Sequence, residues 1–371
     1  MTGASFCYLD HNATTPLRPQ AARAMARAFA QLGNPSSVHS CGRAARRIVE
    51  DARRRVAALV AVSPDSVVFT SGGTEANNLA LCGAGRRRIL ASAIEHPSVL
   101  DAAAEVETIP VHDSGQVDLD ALQAILGDGR DAIVSVMLAN NETGVIQPVS
   151  RAAELAHQVG ALFHCDCVQG VGRVPLDFAG LRADLLTLSA HKMGGPTGVG
   201  ALIVAEDVAL SPAIRGGGQE RGRRSGTENL PGIAGFAAAA EAAATTLETV
   251  ENLAALRDRM ESEVLQRISG ARVVGANVPR LANTSCIALP GVAAETQVMA
   301  MDLAGFAVSA GAACSSGKVR ASHVLQAMGL QDDIAGCAIR ISLGAGNDAS
   351  EIERFVVAYS DFAARTGVSA A

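Results

Sequence analysis

The strongest constraint on the fold is an alternation sustained from about residue 15 to 210. Short apolar runs rich in β-branched residues, at 66–70, 88–93, 108–111, 131–138, 161–166, 184–189 and 200–204, are separated by segments of helical period such as 119–126 and 149–159. The runs lack an apolar–polar alternation, as expected of strands buried on both faces, and helices between strands make parallel crossovers. This pattern predicts an α/β domain with a mostly parallel seven-stranded sheet covered by helices. A stretch rich in Ala, Leu and Glu, 229–268, then reads as two helices. After it come shorter apolar runs at 284–289 and 338–343, which predict a smaller α+β domain completed by the N-terminal strand. The expected division is a large domain at 14–250 and a small one at 1–13 and 251–371.

In open parallel sheets, ligands bind outside the carboxyl ends of the strands. The unusual polar residues of this chain follow those ends. They are Ser71-Gly72-Gly73-Thr74-Glu75-Ala76-Asn77-Asn78, Glu95-His96-Pro97, Asn140-Asn141-Glu142-Thr143-Gly144, Asp166 with Gln169, and Ser189-Ala190-His191-Lys192. One such segment is an ordinary loop; five on one sheet edge describe a pocket. Gly72, Gly73 and Thr74 leave a strand and open a helix, so free N–H groups and a hydroxyl can face a phosphate, with a helix dipole worth about 0.3–1 kcal/mol. Ser189 and His191 can add donors. Lys192 inside such a pocket is a candidate to form a Schiff base. Asp166 ends an apolar strand, where a carboxylate needs a cationic partner, and a protonated pyridine nitrogen would serve. A phosphate cradle, a buried carboxylate and a lysine are the groups a pyridoxal 5′-phosphate site requires.

Composition excludes other classes. Net charge is −6 without a basic tract, which argues against nucleic acid as a direct partner. The cationic cluster 43–55 lies among Ala, Ile and Val at helical spacing and reads as the solvated face of a helix. No apolar run approaches the roughly 20 residues of a membrane span, and the N-terminus carries no signal-peptide core. The eight cysteines are therefore expected as thiols in a cytoplasmic protein. Their spacings make no zinc site; Cys165 and Cys167 read as packing residues on one strand face, and Cys286 and Cys337 also read as packing.

Several blocks together carry a more specific likeness: Phe69-Thr70-Ser71-Gly72-Gly73-Thr74-Glu75, Asn140-Asn141-Glu142-Thr143-Gly144, Gly216-Gly217-Gly218-Gln219-Glu220-Arg221-Gly222, and Arg224-Ser225-Gly226-Thr227-Glu228-Asn229. With Tyr8-Leu9-Asp10 at one end and Arg340-Ile341-Ser342-Leu343-Gly344 at the other, the chain resembles the cysteine desulfurases of the NifS/IscS type. These form a class V aminotransferase branch of pyridoxal-phosphate fold type I. The resemblance implies conversion of L-cysteine to L-alanine, with the sulfur carried as a persulfide on Cys314 and delivered to iron–sulfur cluster assembly or another acceptor protein. It implies that Lys192 carries the cofactor, Asp166 pairs with the pyridinium nitrogen, Gln169 bonds the ring hydroxyl and His96 stacks on the ring. Gly73, Thr74, Ser189 and His191 would hold the phosphate, with Thr227 added across a homodimer interface. Asn141 and Arg340 would hold the substrate carboxylate, although Arg340 also suits a structural ion pair. His96, or the substrate's own groups, would take the Cys314 proton. No metal is required, though Cys314 could ligate an iron–sulfur cluster transiently during transfer.

A lone cysteine such as Cys314 is most often a packing residue, but its neighbours, Ala310-Gly311-Ala312-Ala313 and Ser315-Ser316-Gly317-Lys318, are small and polar and suit a loop. The chain departs from the family pattern at Asp10-His11-Asn12, where Asp-Asn-Asn is usual. It departs again at Met193-Gly194-Gly195-Pro196, at Ala312-Ala313 before the loop cysteine, and in a short tail past Arg340. A selenocysteine lyase would share the pocket. A class V aminotransferase would share Lys192 and Asp166 without needing Cys314. A sulfur-transfer scaffold without cofactor would not need Lys192, Asp166 and His96 together.

Overall fold

The computed structural model describes residues 6–246, 250–311 and 321–367. Its strands are β1 (Cys7–Tyr8), β2 (Val67–Thr70), β3 (Arg88–Ser92), β4 (Glu107–Ile109), β5 (Ala132–Ser135), β6 (Leu162–Asp166), β7 (Leu185–Ser189), β8 (Gly200–Val204), β9 (Arg272–Val273), β10 (Thr284–Ala288), β11 (Phe306–Ala307), β12 (Ser309–Ala310) and β13 (Ala338–Ser342). Seven form one sheet in the order β2-β8-β7-β6-β5-β3-β4. Within it β4, β3, β5, β6 and β7 are mutually parallel, whereas β8 runs against both β7 and β2. Reversal at β8 restores β2 to the common direction. The carboxyl ends of β2, β3, β5, β6 and β7 therefore share one edge.

The absence of alternation in the sequence has a direct structural cause. Val67 and Phe69 of β2, Phe163 and Cys165 of β6, and Leu186 and Leu188 of β7 enter one hydrophobic cluster. Val68 of β2, Leu185 of β7 and Leu202 of β8 enter another on the opposite side. Successive residues face opposite ways, and both faces are covered. The helices α1 (Pro19–Phe29) and α2 (Ser40–Leu59) contribute to the first cluster and α3 (Gly73–Gly83) to the second. Cys165 and Cys167 are buried in the first, their sulfurs 3.6 Å apart.

The later chain builds a four-stranded antiparallel sheet, β12-β13-β10-β9, and the N-terminal β1 pairs in parallel with β11. A separate cluster joins Cys7, Leu9, Ile287, Ile341, Phe355 and Tyr359. The stretch rich in Ala, Leu and Glu is indeed two helices, Leu230–Thr246 and Val250–Arg267. Phe236 and Ala240 of the first pack into the large-sheet cluster, and Met260 and Val264 of the second into the other. No single helix among the described residues is long and apolar enough to cross a membrane.

The cationic cluster needs one correction. Arg43, Arg46, Arg47, Arg54 and Arg55 face solvent, but Arg53 is buried, only 5% exposed. Helical period carries position 53 onto the same inward face as Val49 and Val56. There its guanidinium grips Glu220 at 2.7 and 2.8 Å and lies 5.0 Å from the Phe69 ring centre. Arg53 Nη1 also donates to Val67 O at 2.8 Å, and the Phe69 N–H donates to Glu220 Oε2 at 2.8 Å.

Candidate active site

The five polar segments meet at the shared strand edge. After β2 the chain turns into α3, whose first residue, Gly73, lies tight against β6 and β7. A Cβ at Gly73 would come 3.1 Å from Val168 Cγ2 and 3.6 Å from Ser189 Cβ. Ser189 beside this helix start is buried, while Thr74 is exposed. Glu75 in the first turn accepts from the Ser71 N–H at 2.7 Å and pairs with Arg224 at 2.9 Å, tying the glycine-rich loop to the helix start. His191 sits beside Thr14, with Nδ1 3.2 Å from its hydroxyl. Burial and the neighbouring Lys192 charge lower its pKa to about 4, so at neutral pH it is an uncharged donor or acceptor.

Asp166, at the end of β6, is 7% exposed. Its oxygens accept from Asn77 Nδ2 at 2.8 Å and the Val168 N–H at 2.9 Å, both neutral donors. Asn77 also donates to Ser98 Oγ at 2.8 Å, and that hydroxyl lies 2.8 Å from His96 Nδ1. The Ser98 N–H points at the same nitrogen, 3.1 Å away, so Nδ1 bears the lone pair and the neutral ring carries its proton on Nε2. A continuous polar chain thus joins His96 to Asp166. Desolvation lowers the His96 pKa, with Lys192 and His323 acting the same way and Asp166 opposing them. The adjoining Glu95 is fully buried, accepts from the Met137 N–H, and is pushed well above the carboxylate range by burial and by the Asp166 charge.

Lys192 Nζ donates to the carbonyls of Asn12 and Ala13 at 2.6 and 2.8 Å. Burial, with the Arg340 and Arg173 charges, lowers its pKa to about 8 against the pull of Asp166 and Asp10. An amine that sheds its proton near neutrality is a competent nucleophile and base. Gln169 is buried; its Nε2 donates to Asn12 O at 3.0 Å and its Oε1 accepts from Arg173. Asn12 further donates to Asn141 O at 3.1 Å and Thr284 Oγ1 at 2.9 Å, so the N-terminal segment is stitched across the pocket.

Arg340, on β13, makes an ion pair with Asp10 at 2.7 Å and donates from Nη1 to Asn141 O at 3.1 Å. Among the described residues its buried Nε has no partner. The structure thus shows Arg340 in an ion pair and beside Asn141, the other residue expected at the substrate carboxylate. Thr227 is exposed and lines a different cleft, with Ser71, Glu220 and Arg224, rather than the cavity that holds Lys192, Arg173 and His11. Cys314 lies outside the described residues. Sequence reasoning assigned no role to Asp10, Asn12, Asn77, Ser98, Glu95 or Arg173. The signal that could have found Asn77 is an asparagine on the strand-facing side of α3, where an apolar residue is expected.

The arrangement defines a class: the chain belongs to the family described as Aminotransferase class-V, which matches residues 7–355. Within that class it falls among the cysteine desulfurases. It is 47% identical over 364 residues to the cysteine desulfurase of Cereibacter sphaeroides, spanning 94% of this chain and 93% of that protein. It is 44% identical over 363 residues to that of Gluconacetobacter diazotrophicus, spanning 94% and 90%. A NifS-like protein from Rickettsia africae ESF-5 superposes with a TM-score of 0.88 at 36% identity, covering 96% of this chain and 99% of that one.

Pyridoxal phosphate is the cofactor of this class, and the residues here fit it. Among the described residues the buried Asp166 accepts from neutral donors, Asn77 and the Val168 N–H, which leaves its charge available to a ring cation. The Gly73 start packs closely, a Cβ there coming 3.1 Å from Val168, which suits a close phosphate cradle at the helix start. Lys192 has the depressed pKa that a covalent link needs.

Proposed function

We infer that the chain is a pyridoxal-phosphate-dependent cysteine desulfurase that converts L-cysteine to L-alanine and transfers the sulfur to Cys314. The observation that carries this is a near-neutral Lys192 amine at the same sheet edge as a buried Asp166, in a chain so similar to desulfurases. Gly73, Thr74, Ser189 and His191 would hold the phosphate, Asp166 the ring nitrogen, Gln169 the ring hydroxyl and His96 the ring face. When bound, the cofactor supplies an electron sink for negative charge at the substrate Cα.

The chain's own groups do the rest. Arg340 would grip the substrate carboxylate beside Asn141. Its bond to Asp10 fixes the guanidinium beside the Asn141 carbonyl. Lys192 would remove the Cα proton once its amine is free. Cys314, as thiolate, would attack the substrate sulfur, forming the S–S bond as the C–S bond breaks and leaving a persulfide and, after proton return, alanine. His96 in the tautomer fixed by Ser98 carries its N–H on Nε2, so from there it would act as a hydrogen-bond donor.

The reading extends to a homodimer with Thr227 completing the partner's phosphate site, supported by its place in a cleft away from Lys192. It further extends to an iron–sulfur scaffold or another protein as sulfur acceptor, to a cytoplasmic location, and to a division into domains near residue 250. The separate packing of the two long helices on either side of 247–249 supports that boundary. The direct test is Lys192→Ala. The variant should purify without the cofactor's visible absorption and release no alanine from cysteine; normal turnover would overturn the assignment.

A further inference from the structure

Glu142 has no role in the chemistry above, yet it is nearly fully buried at 3% exposure and touches two residues that are distant from it in sequence. Ser322 Oγ donates to Glu142 Oε2 at 2.5 Å. The same oxygen lies 2.5 Å from where a Cβ of Gly311 would stand, and Ser322 Cβ lies 3.3 Å from that point. Gly311 and Ser322 thus converge on one carboxyl group, and Cys314 falls between them in the sequence.

Each of the three residues is held by regular structure. Glu142 belongs to a turn whose Asn140 Oδ1 accepts from the N–H groups of Glu142 and Thr143 at 2.9 and 3.0 Å, while Asn140 Nδ2 donates to Ile94 O at 3.0 Å. Gly311 directly follows β12, which pairs with β13. Ser322 caps the helix His323–Ala327 by accepting from the Leu325 N–H at 3.2 Å. One residue before Glu142, the Asn141 carbonyl accepts from Arg340. A single turn therefore joins the proposed carboxylate grip to the residues on either side of the cysteine segment.

We propose that Glu142 is a positioning residue for sulfur transfer, fixing Gly311 and Ser322, the residues on either side of the Cys314-bearing segment in sequence, relative to the substrate. The proposal rests on the reading of Cys314 as sulfur acceptor. Gly311 must be glycine because any side chain would strike a carboxylate oxygen that Ser322 already holds in place. Burial raises the Glu142 pKa to about 7, opposed by Ser322 and Arg340, so a glutamine of the same shape should substitute well.

The experiment uses cofactor-loaded enzyme with two readouts: L-cysteine affinity from the cofactor's absorption, and single-turnover persulfide formation on Cys314 by mass spectrometry. Glu142→Ala should bind cysteine within about threefold of wild type but transfer sulfur about tenfold or more slowly, since displacement of a reacting group by about 1 Å can cost up to a hundredfold. Glu142→Gln should transfer within about threefold of wild type by keeping an acceptor for Ser322. Gly311→Ala should be slow alone, yet add little to Glu142→Ala, because removing the carboxyl removes the clash. Wild-type transfer by Glu142→Ala, or equal loss of binding and transfer, would overturn the proposal. If Glu142→Ala fails to fold, Ser322→Ala decides by the same split. A wild-type persulfide on another cysteine would instead show that the acceptor reading itself is wrong, and the positioning role would fall with it.

Discussion

At the scale of single residues, the site is a set of charges held away from their usual states. Lys192 is the clearest case, its pKa lowered to about 8 by burial and by Arg340 and Arg173. Only the unprotonated amine captures an aldehyde, so cofactor uptake by the cofactor-free protein should accelerate with rising pH through about 8. Arg173→Met removes one like charge and should move that profile to higher pH, measured by stopped-flow absorption; an unmoved profile would assign the shift to burial and Arg340. Ser98→Ala tests the chain from His96 to Asp166. Without the hydroxyl, His96 loses one of its two Nδ1 partners and Asn77 one of its acceptors. Turnover should fall about tenfold or more, with cofactor affinity much less changed.

At the scale of elements, the start of α3 is the part most sensitive to bulk. Gly73→Val would drive a branched side chain into the space before Val168 and Ser189, pushing the helix start away from the strand ends. The dissociation constant for pyridoxal phosphate should rise about tenfold, roughly the worth of one charge-assisted hydrogen bond. The sheet was legible before any coordinates because buried strands and amphipathic helices leave different periods. The runs 88–93, 161–166, 184–189 and 200–204 correspond to β3, β6, β7 and β8 within a residue or two. Lys192, Asp166 and His96 could be found because each interrupts an apolar run at a strand end. Asp10, Asn12 and Glu142 could not, because their partners, Arg340, Thr284 and Ser322, lie 330, 272 and 180 positions away in sequence. Local pattern carries no information about such pairs. Arg53 was missed for the same reason, its partner Glu220 lying 167 positions on.

At the scale of the whole molecule, the proposed dimer makes a sharp prediction. A mixed dimer of Thr227→Ala and Lys192→Ala chains should retain one working site if Thr227 serves its partner, because both defects then fall in the same pocket. It should retain none if each pocket is built from one chain; alanine release from isolated heterodimers distinguishes the two. The buried pair of Arg53 and Glu220 has a consequence of another kind. β2 is the last strand of the large sheet, hydrogen-bonded to a neighbour on one side only. On its open side the Phe69 N–H and the Val67 carbonyl are occupied by these two side chains, which stand where another strand's backbone would. Glu220→Ala would cost about 3–5 kcal/mol by leaving a buried cation uncompensated, and would also bare the margin of an apolar, β-branched segment. Such margins recruit strands from other molecules. Loss of this one carboxylate should therefore show itself as concentration-dependent aggregation on mild heating, before catalysis at room temperature declines.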